Sequence, residues 1–313
     1  MRTHAITIFD KNYLGRVLAF RESFEAHSPE THVHFLCLDE TSYEMLSKLN
    51  LPNTTLVQVS DLKDPELVAS RETRTGPEFA STTKPAFLQY MLNSGSVGPA
   101  DLLVFIDPDF FFYESPEAIF KKMYDSGSII ITSHRFPKQR ENEQFMKGKF
   151  NAGFMGFRND ANTRICLAEW RKQCIDWCYI RFEDGKIGDQ GYLTEWPNKY
   201  KGVYVLPDLG VNLSTWNIAN YSIKESGSGH FLIDGQPLIC YHFHGMRLYF
   251  DRKNRVQAAP ITVFNKDIYR PYVQALQRAY DRLQTLEKNW TLGTIPNPGF
   301  LRILKQKLMR AFQ

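Results

Sequence analysis

Residues 102–109 read Leu-Leu-Val-Phe-Ile-Asp-Pro-Asp: five apolar residues in a row, then two carboxylates either side of a proline. A short, wholly apolar run that stops at a turn signal predicts a strand buried on both faces at the centre of a parallel sheet. Asp107 and Asp109 then fall at the carboxyl edge of that sheet, where open α/β folds bind their ligands. Carboxylates in apolar surroundings are costly unless compensated, which makes a divalent cation their natural partner. Seventeen aspartates among 313 residues produce about one Asp-x-Asp by chance. Placement therefore carries more weight than the motif, and a plain structural turn stays open as a reading.

The flanking chain supports a layered α/β domain. Residues 4–9 (HAITIF), 33–38 (HVHFLC) and 54–59 (TTLVQV) have strand character. Helices are expected between them: one capped by Asn12 with Leu14, Val17, Leu18, Phe20 and Phe24 on its inner face, the other over 42–49. This βαβαβ order is that of a mostly parallel sheet. Residues 70–83 have no period and read as a loop before a helix that has Pro85 in its first turn. Further on come a helix near 116–125, a strand at 128–132, a second polar loop at 134–149, a strand at 150–157 and a long helix from 160 to 181. A shorter helix opens near Gly188 and Asp189, strands recur at 202–206 and 237–243, and Val273, Leu276, Tyr280, Leu283 and Leu286 mark an amphipathic helix within 271–289.

Composition narrows the function. The formal charge of +4 resides in residues 299–313, which hold Arg302, Lys305, Lys307 and Arg310 and no acid. The neutral remainder argues against a dedicated nucleic-acid binder, which needs a basic face. No stretch approaches the roughly 20 apolar residues of a membrane span, and Asp10 and Lys11 interrupt the first apolar run, so a cytoplasmic location is expected. The five cysteines include no CxxC pair and fit reduced thiols; Cys166, Cys174 and Cys178, at helical spacing, read as a buried stripe.

Three more features could carry chemistry. His242 and His244, two apart after an apolar strand, present both imidazoles to one face and could complete an oxygen-rich metal site. Asn151-Ala152-Gly153 interrupts a strand pattern, where the glycine marks a close backbone approach or a bulge. Asp189-Gln190 opens a helix, where Asp189 also reads as an N-cap.

With Phe9-Asp10-Lys11-Asn12-Tyr13 at the end of the first strand, these motifs occur in an order that resembles the GT-A glycosyltransferases of the family 8 type, from residue 3 to about residue 250. Those are retaining enzymes related to bacterial lipopolysaccharide galactosyltransferases and glycogenin. The resemblance implies an α/β fold of the nucleotide-diphospho-sugar transferase type: a mostly parallel central sheet flanked by helices, with a C-terminal helical extension. It assigns Phe9, Asp10, Asn12 and Tyr13 to the nucleoside, Asn151, Ala152 and Gly153 to the donor sugar, and Asp189 and Gln190 to the reacting carbon. Asp107, Asp109 and His242 would hold Mn²⁺ or Mg²⁺, with Gly245 in the His-Phe-x-Gly element. The family follows that element with Lys-Pro-Trp, whereas this chain has Met246-Arg247-Leu248-Tyr249. Lys84 and Arg247 are the counter-charges expected for the diphosphate, a solvated surface lysine being the competing reading of Lys84.

The implied activity is metal-dependent, retaining transfer from a UDP-sugar to a glycan or lipid-linked acceptor in polysaccharide biosynthesis. The expected domains are a catalytic unit over 1–265, a helix and linker over 266–298, and an amphipathic tail over 299–313 that rests on an anionic membrane face or packs on the body. A nucleotidyltransferase would show a Gly-rich GxGxRL turn where this chain has DKNYLGR. A metal phosphohydrolase would need more ligands for a second ion. A non-catalytic nucleotide or carbohydrate binder is the remaining alternative.

Overall fold

The computed structural model describes residues 1–227, 229–259 and 265–299; from residue 300 onward the expected tail helix lies outside the described residues. Strands β1 (Thr3–Phe9), β2 (His32–Cys37) and β3 (Thr54–Gln58) pair in parallel, with α1 (Leu14–His27) and α2 (Glu40–Ser47) as their crossovers. The strand ends at Phe9, so the first residue outside it is Asp10, and Asp10 rather than Asn12 caps the turn into α1: its Oδ1 accepts from Asn12 N at 2.9 Å.

Residues 70–83 are not a loop. Helix α3 (Pro65–Ser70) ends there, and α4 (Gly76–Asn93) starts nine residues before Pro85, which lies inside it. Pro77 occupies its first turn, and Glu78 Oε2 accepts from Thr75 N at 2.9 Å. The apolar period is missing because Pro77, Ala80, Ser81 and Lys84, which share a helix face, line a cleft instead of the core. The 134–149 segment likewise holds a short helix, α6 (Glu143–Lys147), preceded by α5 (Glu117–Ser126).

Strand β4 (Leu102–Ile106) is fully buried. After β5 (Phe110–Phe112) come β6 (Ile129–Ser133), β7 (Phe150–Arg158) and β8 (Val203–Leu206), and the seven-stranded sheet has the order β3-β2-β1-β4-β7-β6-β8. Six strands run one way and β7 opposes them. Leu102, Val104 and Ile106 enter the core layer under α1, while Leu103 and Phe105 enter the layer under α4, so the strand is buried on both faces as its composition predicts. Helix α7 (Ala161–Asp176) packs on α4 and ends five residues before the expected boundary, leaving Cys178 beyond it; Cys166, Cys174 and Cys178 are nonetheless fully buried free thiols. Short helix α8 (Trp196–Lys199) follows.

Strand β9 (Leu213–Ser214) and a small antiparallel sheet of β10 (Ile223–Gly227), β11 (His230–Ile233) and β12 (Gln236–Pro237) lead to β13 (Cys240–His242). That last strand pairs antiparallel with β5, His242 opposite Phe110, and parallel with β9. This register brings together motifs more than 130 residues apart in the chain. Hairpin β14 (Leu248–Phe250) and β15 (Val256–Ala258) precedes α9 (Lys266–Leu286), whose Tyr280 ring lies where a Cβ on Gly15 of α1 would come within 2.6 Å. Among the described residues no helix is long and apolar enough to cross a membrane.

Candidate active site

Asp107 and Asp109 follow β4 directly, and the turn they form is closed by Phe110 N donating to Asp107 O at 3.2 Å. Phe243 N donates to Asp109 O at 2.9 Å, which ties the turn to the end of β13. His242 Nε2 then stands 3.0 Å from Asp109 Oδ1 and 3.7 Å from Asp107 Oδ2. Its ring stacks on Phe110 at 4.4 Å and meets the edge of Trp216 at 5.2 Å. Asp109, His242 and His244 each place a ligand atom within 4.8 Å of the others. The second histidine thus enters the cluster beside the expected ligands, and Asp107 sits at its outer side.

The donor set suits a hard divalent cation: two carboxylates and imidazole nitrogen, with no thiolate. Asn212 Nδ2 donates to Thr132 Oγ1 at 2.8 Å and to Asn151 Oδ1 at 3.1 Å, so its Oδ1 is left to face His242 Nδ1 at 3.3 Å. With Nδ1 donating to Asn212 Oδ1, Nε2 turns toward the carboxylates; protonated, it donates to Asp109, and a bound cation would take the place of that proton. Burial alone would raise both carboxyls. At Asp109 the charge and hydrogen bond of His242 outweigh burial and bring it down to about 2. At Asp107 burial prevails over Lys84 and His242, and the carboxyl stays above its usual range. Gly153 is needed here: a Cβ would come within 2.7 Å of Asn151 Oδ1, 2.7 Å of Asp107 Oδ2 and 2.9 Å of His242 Cε1. Both readings of the Asn-Ala-Gly element hold, since β7 also slips register against β6 between Ile130 and Thr132.

Lys84 is not a solvated surface lysine. It is buried, with Nζ 2.7 Å from Asp189 Oδ2, 3.6 Å from Asp107 Oδ1 and 3.0 Å from the Ala152 carbonyl it donates to. Burial would drive the ammonium down, but the two aspartates hold it well above its usual range. Asp189 makes no capping bond; its carboxylate is committed to Lys84. Gln190 Oε1 accepts from Asn151 Nδ2 at 3.3 Å, and its Nε2 donates to Lys147 O at 2.8 Å.

At the other end, Phe9, Asp10 and Tyr13 line the cleft, whereas Asn12 bonds to Asp10 (Nδ2 to Oδ2, 3.0 Å) and orients it. Gly245, in left-handed backbone at φ 70°, and Arg247 are exposed and do not line the cleft. The buried cation on that side is Arg16, whose Nη2 donates to Met246 O at 2.9 Å and whose guanidinium lies 4.9 Å from the Tyr13 ring centre. Arg16, Asn212 and His134, whose Nε2 lies 3.5 Å from Asn151 Nδ2, escaped the sequence reading. Arg16 and Asn212 belong to no motif; His134 was legible only as a polar residue just past the carboxyl end of β6, on the ligand-binding edge.

The cleft has two adjoining parts, 180 Å³ beside Asp10 and Tyr13 and 350 Å³ beside Lys84, Asn151 and Gln190, with Asp107, His242 and His244 lining both.

No family model matches the chain. It is 31% identical to the uncharacterized protein YfnD of Bacillus subtilis (strain 168) over 301 residues, 94% of each chain. With YfnF of the same organism it shares 34% identity over 248 residues, 77% of this chain and 81% of YfnF. Among solved structures, an active-site mutant of LgtC superposes with a TM-score of 0.59 at 15% identity, covering 92% of this chain and 98% of that one. The galactosyltransferase LgtC in complex with donor and acceptor sugar analogs gives 0.55 at 15% identity, covering 94% and 98%. The fold is that of the GT-A glycosyltransferases.

Proposed function

Because the chain belongs to the family of YfnD and YfnF and has the GT-A fold, we propose that it is a glycosyltransferase that moves a sugar from a nucleotide donor, UDP-linked, to a glycan or lipid-linked acceptor. One observation carries this reading: Asp107, Asp109 and His242 converge where the part of the cleft beside Asp10 and Tyr13 meets the part beside Lys84, Asn151 and Gln190. LgtC, of the same fold, was solved with donor and acceptor sugar analogs. Asp107, Asp109 and His242, with His244 beside them, would hold Mn²⁺ or Mg²⁺. When bound, that cation supplies Lewis-acid stabilisation of the departing diphosphate.

The protein's own residues do the rest. Asp10, fixed by Asn12, accepts from the base or ribose, and Tyr13 offers its ring to the base. Lys84 adds positive charge next to Asp107 and holds Asp189 in place. Asn151 and Asp189 orient hydroxyls of the sugar, with the Ala152–Gly153 backbone close by and Gln190 near the anomeric carbon. Asp189 is paired with Lys84 and Gln190 has no basic group, so neither supplies a free base. Displacement on the leaving-group face, with the departing phosphate taking the acceptor proton, suits such a site and retains the anomeric configuration. Arg247 reaches the diphosphate in this reading only through a rearrangement of its exposed segment, and Arg16 is the better-placed cation.

The reading is tested with a panel of nucleotide sugars, each with and without Mn²⁺, scored by released nucleotide. Turnover of a UDP-sugar supports it. Absence of both turnover and binding for every UDP-sugar overturns it, and pyrophosphate release from a nucleoside triphosphate would point to the nucleotidyltransferase alternative.

A further inference from the structure

A second cleft, of 730 Å³, opens beside the donor cleft. Ile187 lines both it and the sugar-side space, and the contact continues through chain neighbours: Lys147 and Gln190 face the sugar side, Gly148 and Gly191 the second cleft. The nucleoside-side space has no lining residue in common with the second cleft. The three spaces therefore lie in series: nucleoside, transferred sugar, second cleft. The last is about twice the 350 Å³ of the sugar-side space, and ligand pockets run roughly 300–1,000 Å³.

Its lining combines aromatic rings and amides with the charged side chains of Lys186, Glu195 and Lys199. Phe145, Tyr192 and Tyr200 supply the rings, and Gln144, Gln173 and Asn198 the amides. Phe145 is 74% exposed, although it belongs to a short helix that could have turned it inward. It meets Phe182 at 5.0 Å between ring centres, and Met146 and Ile180 are exposed on the same two segments. An exposed phenyl ring and two half-buried tyrosines next to amide donors and acceptors match a pyranose, whose C–H face covers a ring while its hydroxyls bond to amides.

We infer that this cleft is an extended acceptor subsite, which holds two or more non-reacting sugar units of an oligosaccharide while the reacting hydroxyl lies at Gln190. The inference rests on the glycosyl-transfer reading and adds the size and chemical class of the acceptor. An acceptor whose reacting hydroxyl enters on the leaving-group face of the anomeric carbon, and whose other units run away from the nucleoside, passes over Ile187 into this space.

The test uses the full chain with UDP and Mn²⁺. The probes are the methyl glycosides and the trisaccharides of glucose, galactose and N-acetylglucosamine, followed by saturation-transfer NMR. Wild-type protein is expected to bind at least one trisaccharide more tightly than the matching monosaccharide. The double variant Phe145→Ala, Asn198→Ala, both exposed positions, should lose about tenfold of that affinity, with binding of the monosaccharide and of UDP unchanged. No trisaccharide preference in the wild type, or an undiminished preference in the variant, overturns the inference. UDP binding retained in that case leaves the transfer reading standing, whereas failure of the wild type to bind UDP removes both.

Discussion

Lys84 Nζ lies 2.7 Å from Asp189 Oδ2, a buried ion pair that joins α4 to the segment bearing Gln190. Its partners come from three places in the chain, because the same ammonium stands 3.6 Å from Asp107 and bonds to the Ala152 carbonyl. The lysine is thus a hub that sets the distance between the carboxylate turn and the sugar-side wall.

Replacing that hub leaves the buried Asp189 carboxylate without its partner and takes positive charge away from the half-buried Asp107. Lys84→Met is expected to cost about 3–5 kcal/mol of stability and to abolish donor turnover. Lys84→Arg should not restore activity, since a planar fork does not fit where a point charge meets three separate acceptors. Urea unfolding midpoints and UDP release check both. A Met variant of wild-type stability would mean that the pair is not formed.

Gly153→Ala is expected to weaken Mn²⁺ activation by about 10–100-fold, the usual effect of disturbing the residues that orient ligands. The added Cβ would push on Asp107, Asn151 and His242 together, each within 3 Å. The Mn²⁺ concentration for half-maximal activity measures this, and an unchanged value would show that the backbone yields without moving the ligands.

Asn212 fixes the His242 tautomer, so Asn212→Leu, which keeps the branching of the side chain but cannot bond, should also raise that half-activation constant about tenfold or more. Asn212→Asp, which keeps an acceptor toward Nδ1, should retain more affinity. Equal losses in the two variants would remove the tautomer argument.

Acid should destabilise the protein through buried neutral histidines. Burial, with His32 and His4 adding to it, holds His34 down to about 3; burial also brings His134 to about 3 against the opposing bond to Gly148 O. Each folded-state value lies below the unfolded value of roughly 6.5. Between these values the unfolded chain binds the proton and the folded one does not, so stability is full above about 6.5 and declines as pH falls. From pH 7 to 5.5 the loss is about 1 kcal/mol per histidine. His34→Gln should flatten the slope by one such share, read from urea midpoints at the two pH values. A slope unaltered by the substitution would place the titration elsewhere.

The sheet was readable where one face or both faces meet apolar neighbours: β4 declared itself by five unbroken apolar residues, and α1 by the spacing of Leu14, Val17, Phe20 and Phe24. Reading failed on α4, whose face of Pro77, Ala80, Ser81 and Lys84 lines the cleft instead of the core and so shows no apolar period. At the site, Asp107, Asp109 and His242 were legible as motifs at strand ends. What no motif carries is their support. Asn212 is aimed at His242 from a left-handed backbone position at φ 55°, and Arg16 is one basic residue in an otherwise ordinary helix, buried by the carbonyls of Met246 and Gly293 from far along the chain. Lys84 was visible as a charge, but its burial depends on α4 continuing through Pro85, which local rules discourage.

The most direct test of the central claim is Mn²⁺-dependent release of UDP from a UDP-sugar by the wild type and by Asp109→Asn. This substitution keeps the size of the side chain and removes the charge that faces His242 at 3.0 Å. The account predicts release that rises with Mn²⁺ in the wild type and is abolished in the variant, whose unfolding midpoint shows it still folded. Metal-dependent release at the wild-type rate by Asp109→Asn would contradict it.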